Sequence, residues 1–401
     1  MSWQWNNDQE KTIQGAVEHL KGKTSEQVFQ ISGKPGTGKT EVIHEIVRRA
    51  GIPLSRVACM AYVGQAVSVM RTRGLWNAKT CHSSLYELVE VQMVDEHGRP
   101  IMDEVFNKPK LKLTFVPKKL EDIDYIIVDE GGMIPENMGA EIAKQGLPII
   151  VCGDCNQLPP ITGNPAYFKP GTKINYLNQI MRQNANSGIV YLSERILNNQ
   201  PIQCGFYNEV WVMEEKDLTD QMIMNAQIVL CGTNKTRDKL NNHIRRDLLK
   251  IYNTMPITGE KVICRKNNWK LELDGISLTN GLIGTTLNDV QVDMYDGTCF
   301  YINFKPDLLN SFFPNIGCNY EYFKGDKLKR DTLRANPYLV GELFEPAYSI
   351  TTHLSQGGEY SHGIYIQEYL GRDIQRNLDY TALTRFRNQA IIVLPTLKKY
   401  F

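Results

Sequence analysis

The chain has 401 residues, of which 45 are Lys or Arg and 44 Asp or Glu, for a formal net charge of +1, and 42% of it is apolar. That length exceeds one ordinary core, so two or more domains are expected. The near-neutral balance excludes a uniformly basic nucleic-acid binder but not a local basic groove. No apolar run reaches membrane-spanning length, and the N-terminus lacks the pattern of a signal peptide. A soluble cytoplasmic protein, with no membrane partner, is expected. The nine cysteines are scattered and odd in number. Cys59, Cys231 and Cys264 lie in apolar runs, as buried reduced thiols do. Cys152 and Cys155 form a C-x-x-C, but no second ligand pair lies at zinc spacing, which weighs against a metal or redox site.

Taken in order, the chain opens with Trp3, Trp5 and Asn6, then Ile13, Val17 and Leu20 at helical spacing. The amide of Gln9 holds donor and acceptor together and could pair with adenine. Taken alone, Gln9 reads as a surface residue at a helix start. Val28–Ile31 reads as a strand and Glu41–Val47 as a helix. Between them Gly33-Lys34-Pro35-Gly36-Thr37-Gly38-Lys39-Thr40 fits G-x-x-x-x-G-K-[ST]. A glycine-rich turn at a helix N-terminus turns backbone N–H groups onto phosphate oxygens. Lys39 would reach the β- and γ-phosphates of ATP, and Thr40 would hold Mg²⁺.

Arg56–Ala61 reads as a second buried strand, followed by Tyr62, Gly64 and Gln65 and a helix with Arg71 and Arg73. In Ala78–Leu85, Thr80 and His82 are suited to gripping a sugar–phosphate backbone. Thr80 or Ser83 could also cap a helix, and the two roles are compatible. Residues 88–118 alternate apolar and polar around turns, which predicts a β-hairpin insertion. Its aromatic candidates are Phe106 and Phe115. Tyr125–Val128 is a buried strand delivering Asp129 and Glu130 at its C-terminal end, where open α/β sheets bind ligands. Asp129 would bind Mg²⁺, and Glu130 would act as general base on a water. Pro148–Cys152 leads to Gly153-Asp154-Cys155-Asn156-Gln157-Leu158-Pro159-Pro160. There the Gln157 amide can hold the attacking water and report nucleotide state.

These segments, in this order, resemble the superfamily-one helicases, and within them the 5′-to-3′ RecD-like and Dda-like branch. Leu177–Gln183 is similar to the family's L-x-x-x-M-R-Q segment, which would make Arg182 an arginine finger. Cys231–Asn234 with Asn241 resembles the opening of a second motor domain, and Thr279–Thr285 its N-G-x-x-G turn. Ala347–Glu359 resembles A-Y-A-I-T-x-H-K-x-Q-G, and Tyr380–Arg385 resembles Y-T-A-x-T-R, whose last residue would be a second finger, Arg385. The chain departs from the pattern at Leu354, where Lys is usual, at Gly131-Gly132, and at Ala61-Tyr62-Val63-Gly64.

The resemblance implies an α/β fold of two RecA-like domains, residues 1–183 and 184–260 with 340–401. Residues 261–339 would be an inserted SH3-like β-domain. It implies ATP and Mg²⁺ as cofactors, with Gln9, Gly33, Pro35, Gly36, Thr37, Gly38, Lys39, Thr40, Gly358 and Glu359 around the nucleotide. It implies catalytic roles for Lys39, Glu130, Gln157, Arg182 and Arg385. Tyr62, Thr80, His82, Asn234, Thr352 and His353 would meet DNA. The expected partners are single-stranded DNA and its junctions with duplex, with single-stranded-DNA-binding or replication proteins beside them. The expected activity is ATP-dependent 5′-to-3′ translocation and unwinding, in replication, recombination or repair. The alternatives are a P-loop kinase or ATPase of another class, a catalytically silent binding module, and an RNA helicase. The cluster Lys324, Lys327, Lys329, Arg330 and Arg334 could track phosphates or be a solvated face.

Overall fold

The computed structural model describes residues 4–102, 109, 111–181, 187–274, 276–287, 290–292, 298–307, 309–325, 327–334 and 339–395. Arg182 and Phe106 lie outside them. The apolar runs of the N-terminal part form one all-parallel sheet. Its strand order is Lys79–Thr80, Val57–Ala61, Tyr125–Asp129, Ile149–Gly153, Val28–Gly33 and Ile174–Leu177. Strands of a parallel sheet are covered on both faces, which is why they read as continuous apolar runs. One face packs Ile31, Cys59, Ile127 and Ile150 against Ile13, Ile43, Ile46 and Met70. The other packs Met60, Ile126, Val128 and Val151 against Met138 and Ile142.

A second sheet runs in the order Ser349–Thr351, Ile228–Cys231, Tyr360–Ile366, Phe386–Leu394, Val210–Glu214 and Gly205–Tyr207, parallel except for its last pair. Its own core includes Leu192, Leu230, Ile350, Tyr380 and Ile392. The side chain of Asn241, on the helix Asn234–Asn242, bonds both the N–H and the C=O of Ser349 and so closes the sheet's Ser349–Thr351 edge. Between Ile228–Cys231 and Ser349–Thr351 the chain leaves to build a third, antiparallel sheet. It joins Gln291–Val292, Cys299–Pro306, Ile283–Thr286, Lys261–Cys264 and Phe344–Pro346, with Phe313–Asn319 paired to Cys299–Pro306. Phe300, Phe304, Phe313 and Phe344 fill its core. Within the first unit, Tyr86–Gln92 and Leu111–Pro117 pair antiparallel, starting two residues before the alternating pattern.

Local signals set the helix ends. Asn6 and Gln9 form a capping box on Asn7–Leu20. Gly51, in the left-handed region, ends Lys39–Ala50. The helix Gly188–Leu197 is capped by Ser187 and by the carboxylate of Glu209, which accepts from the N–H of Gly188 and Ile189 at 3.1 and 3.2 Å. Burial opposes ionisation of Glu209, but these donors and Ser187 hold its pKa below the ordinary value. Its stabilisation is therefore full above the unfolded-state pKa and is lost as pH falls through the lower folded-state value. Glu209→Gln is expected to weaken this helix start by about 1 kcal/mol at neutral pH, a roughly fivefold loss of amide-exchange protection at Gly188 and Ile189. The difference from the parent chain should vanish in acid.

Candidate active site

The cleft lies between the carboxyl ends of the first sheet's strands and, in the second sheet, the amino ends of Tyr360–Ile366 and Phe386–Leu394. From the first sheet come Pro35, Gly36, Gly38, Lys39, Thr40, Asp129, Glu130 and Gln157, and from the second unit Gly357, Glu359 and Arg385. Gly36 and Gly38 have φ of 82° and 80°, which turns the loop back over the start of the Lys39–Ala50 helix. Lys39 donates to the carbonyls of Gly33 (2.7 Å) and Lys34 (3.3 Å) and forms no ion pair among the described residues. Thr37 is buried and ties the loop through its hydroxyl to the Lys34 carbonyl.

Gln9 is fully buried rather than a surface residue. Its amide accepts from the Asn6 N–H and donates to the Thr37 carbonyl at 3.0 Å. Both ends of that amide are engaged within the protein, so in this arrangement Gln9 braces the loop from below.

Asp129 and Glu130 lie inside the cleft. Burial raises the pKa of both. The backbone N–H of Glu130, Lys39 and Arg73 oppose this at Asp129, and Arg385 and Lys39 oppose it at Glu130. Glu130 stands at φ 51°, a costly backbone for a residue with a side chain, which aims its carboxylate across the cleft. Arg385 is 4% exposed, lies 3.9 Å from the Glu130 carboxylate and donates to the Gly358 carbonyl. The Oε1 of Gln157 is buried and lacks a hydrogen-bond partner among the described residues. A buried acceptor beside a carboxylate and an arginine is a fitting seat for an attacking water.

Arg73 is the residue that the sequence reading passed over. One arm of its guanidinium donates to the Thr40 hydroxyl and the other to Glu359, each at 2.7 Å. Glu359 also pairs with Arg387. The Thr40 hydroxyl and Asp129 carboxylate are the hard oxygen donors that suit Mg²⁺. The cation now meeting that hydroxyl is Arg73. The cleft holds only about 60 Å³, far less than the roughly 300–1,000 Å³ of ordinary ligand pockets. A nucleotide therefore requires the two units to part and Arg73 to move.

The units are joined by buried polar bonds around the Gln157 loop. Tyr380 donates to Asp154 at 2.7 Å. The Leu158 N–H donates to the Thr381 hydroxyl, and its carbonyl accepts from Gln356, each at 2.9 Å. Asn377 donates to the carbonyls of Asn156 and Gln157. Gly357, at φ 77°, passes so close to Ala66 that a Cβ there would lie 2.7 Å from the alanine methyl.

Several residues assigned to DNA by resemblance are placed differently. Thr352 is fully buried and its hydroxyl donates to the Cys231 carbonyl, so that group is turned away from solvent. Thr80 is 6% exposed and caps Cys81–Leu85 by accepting from the Ser83 N–H. His353 is half-buried and burial lowers its pKa. Asn234 is exposed at the start of its helix, behind the Thr233 cap. His82 stacks between Tyr86 and Trp269, with Tyr62 and Phe115 tilted against it. Phe115 thus lies at the base of the hairpin, where it meets the third sheet's unit through Trp269. Cys152 is buried in its strand and Cys155 half-buried in the Gln157 loop. No cluster of metal-binding side chains occurs among the described residues. Nor is any described helix long and apolar enough to cross a membrane.

Residues 16–163 match the family model of an AAA domain. No curated protein matches the sequence. The structure aligns with that of two coordinating Pif1 helicases at forked double-stranded DNA, at 16% identity over 98% of this chain and 92% of that one, with a TM-score of 0.56. The chain has the Pif1 helicase fold. The same fold appears in Bacteroides Pif1 in complex with ADP-AlF3 and single-stranded DNA, at 14% identity, 98% and 92% coverage and a TM-score of 0.54. Candida albicans Pif1 aligns at 16% identity, 98% and 94% coverage and a TM-score of 0.52. In this fold the cleft joins the two α/β units, so Arg385 reaches Glu130 only while they are together. Arg385→Ala and Glu130→Gln are each expected to lower nucleoside-triphosphate turnover by about 100-fold or more with little change in nucleotide affinity. Turnover against nucleotide concentration separates the two effects.

Proposed function

We propose that the chain is an ATP-dependent DNA helicase of superfamily one that moves 5′ to 3′ on single-stranded DNA and opens duplex ahead of it. The observation that carries this reading is the split cleft. The phosphate-binding loop, Asp129, Glu130 and Gln157 stand on one α/β unit, and Arg385 on the other. Such a division ties hydrolysis to the closure of two bodies, which a small-molecule kinase has no use for. ATP is the substrate, and Lys39 binds its β- and γ-phosphates. Thr40 and Asp129 would hold Mg²⁺, which neutralises phosphate charge when bound. Glu130 accepts a proton from water held by Gln157, and Arg385 faces the charge that develops on the γ-phosphate. Gly358 and Glu359 line the nucleotide from the second unit, and Arg182 is assigned the second arginine role by its motif.

The motor units are residues 1–183 and 184–260 with 340–401, and residues 261–339 are the inserted β-domain. Single-stranded DNA crosses the face formed by Tyr62, His82, Asn234 and His353, where His82 is kept neutral by burial and offers a ring rather than a charge. Flat rings at such a site stack on bases without regard to sequence. Neighbours of this fold are described with single-stranded and forked DNA, which favours DNA junctions over RNA. The hairpin whose base holds Phe115 would serve as the separating pin.

Duplexes with a 5′ or a 3′ single-stranded tail test the proposal. Unwinding of the 5′-tailed substrate alone is the expected result. Unwinding of the 3′-tailed substrate alone would overturn the polarity, and opening of neither would remove the helicase reading. Replacing residues 95–110 by a short Gly-Ser turn is expected to keep DNA-stimulated turnover and to abolish most unwinding.

A further inference from the structure

We propose that a second basic groove, remote from the nucleotide, carries the phosphates of single-stranded DNA beyond the Asn234 end of the motor face. This rests on the helicase reading. One wall is the helix Asn234–Asn242 with its π-helical continuation His243–Leu248, and the other is the end of the helix Tyr320–Lys324. The groove encloses about 610 Å³. Lys235, Lys239 and Arg246 line it, all exposed, and none forms an ion pair among the described residues. Lys324 and Arg330 face them. Arg245 also lines the groove but is neutralised by Glu260 at 2.5 Å.

The acids of the groove are already engaged. Asp238 is held by Arg237 at 2.7 Å. Glu345 is buried and pairs with Arg237, Arg265 and Arg334 at 3.2, 3.5 and 3.4 Å. Both Arg237 and Arg265 pair with Glu345, yet the Nη1 of each finds no hydrogen-bond acceptor among the described residues. Buried guanidiniums that share one carboxylate leave donors unsatisfied, and a nearby anion offsets that cost, so the field in the groove favours phosphate.

The free cations form a row and do not converge on one point. Lys235 to Arg246 spans about 15 Å of helix, or about four to five nucleotides of a stacked strand. A single phosphate or nucleotide needs converging donors, whereas a row suits a polyanion. Lys235 follows Asn234 directly, so the row continues the face already assigned to the strand.

The test uses the full chain and a triple variant, Lys235→Ala with Lys239→Ala and Arg246→Ala, all at exposed positions outside the cleft. Anisotropy of labelled oligo-dT is read across a salt series for several lengths. Short oligomers should bind both proteins alike. Long ones should show a salt slope lower by roughly 2 in the variant, from three lost phosphate contacts at about 0.7 each. Turnover at saturating DNA should not change. Equal slopes at every length would overturn the groove assignment. So would an unchanged DNA slope with loss of binding to an Asp/Glu-rich peptide, which would assign the groove to an acidic protein segment. Failure of the helicase reading has a separate signature: turnover of the parent chain that no DNA stimulates.

Discussion

The loop Asp154–Leu158 belongs to the first sheet and is hydrogen-bonded by the second unit. Asp154 meets Tyr380, Leu158 meets Thr381 and Gln356, and Asn377 holds the carbonyls of Asn156 and Gln157. These groups are largely buried, and stranding any one of them costs about 1–3 kcal/mol. The units therefore do not slide gradually past each other. They keep the whole set of bonds or exchange it for water together. Because Gln157 is inside this set, the residue proposed to hold the reacting water is positioned by the opposite unit.

Arg73 adds a second tie across the same gap, from Thr40 to Glu359. With Lys39 resting on its own loop carbonyls, the cleft neutralises itself internally. Nucleotide entry must exchange these contacts for phosphate contacts, which links binding to separation and re-closure. The ring cluster of Tyr62, His82, Tyr86, Phe115 and Trp269 joins the first unit to the hairpin and to the strand Asn268–Leu273 of the inserted segment. The face proposed for the strand is thus shared between the first unit and the segment inserted in the second.

Much of this was legible in the sequence wherever the chemistry is local. The run from Gly33 to Thr40 carries its own turn glycines and helix start, and Asp129 and Glu130 follow an unbroken apolar strand, so strand, loop and site could be read together. Residues whose meaning depends on distant neighbours were not legible. Arg73 looks like any arginine near a helix end, and its two partners lie 33 and 286 positions away. Thr80 and Thr352 carry hydroxyls that a motif assigns to DNA, but burial sends the one to a helix cap and the other to a carbonyl. Gln9 was read by its donor–acceptor pair, which the fold turns inward to brace the phosphate loop. The basic cluster from Lys324 to Arg334 divides in space. Lys324 and Lys329 pair with Glu321, while Arg334 turns inward to Glu345.

The central claim is that one closure event joins the nucleotide cleft to the DNA face. The most direct measurement is steady-state ATP turnover by the full chain with and without single-stranded DNA, beside a Thr381→Val variant that removes the acceptor of the Leu158 N–H. The account predicts strong stimulation by DNA in the parent chain. In the variant it predicts a much smaller stimulation with little change in basal turnover. Equal turnover with and without DNA, or a variant stimulated as fully as the parent, would contradict it.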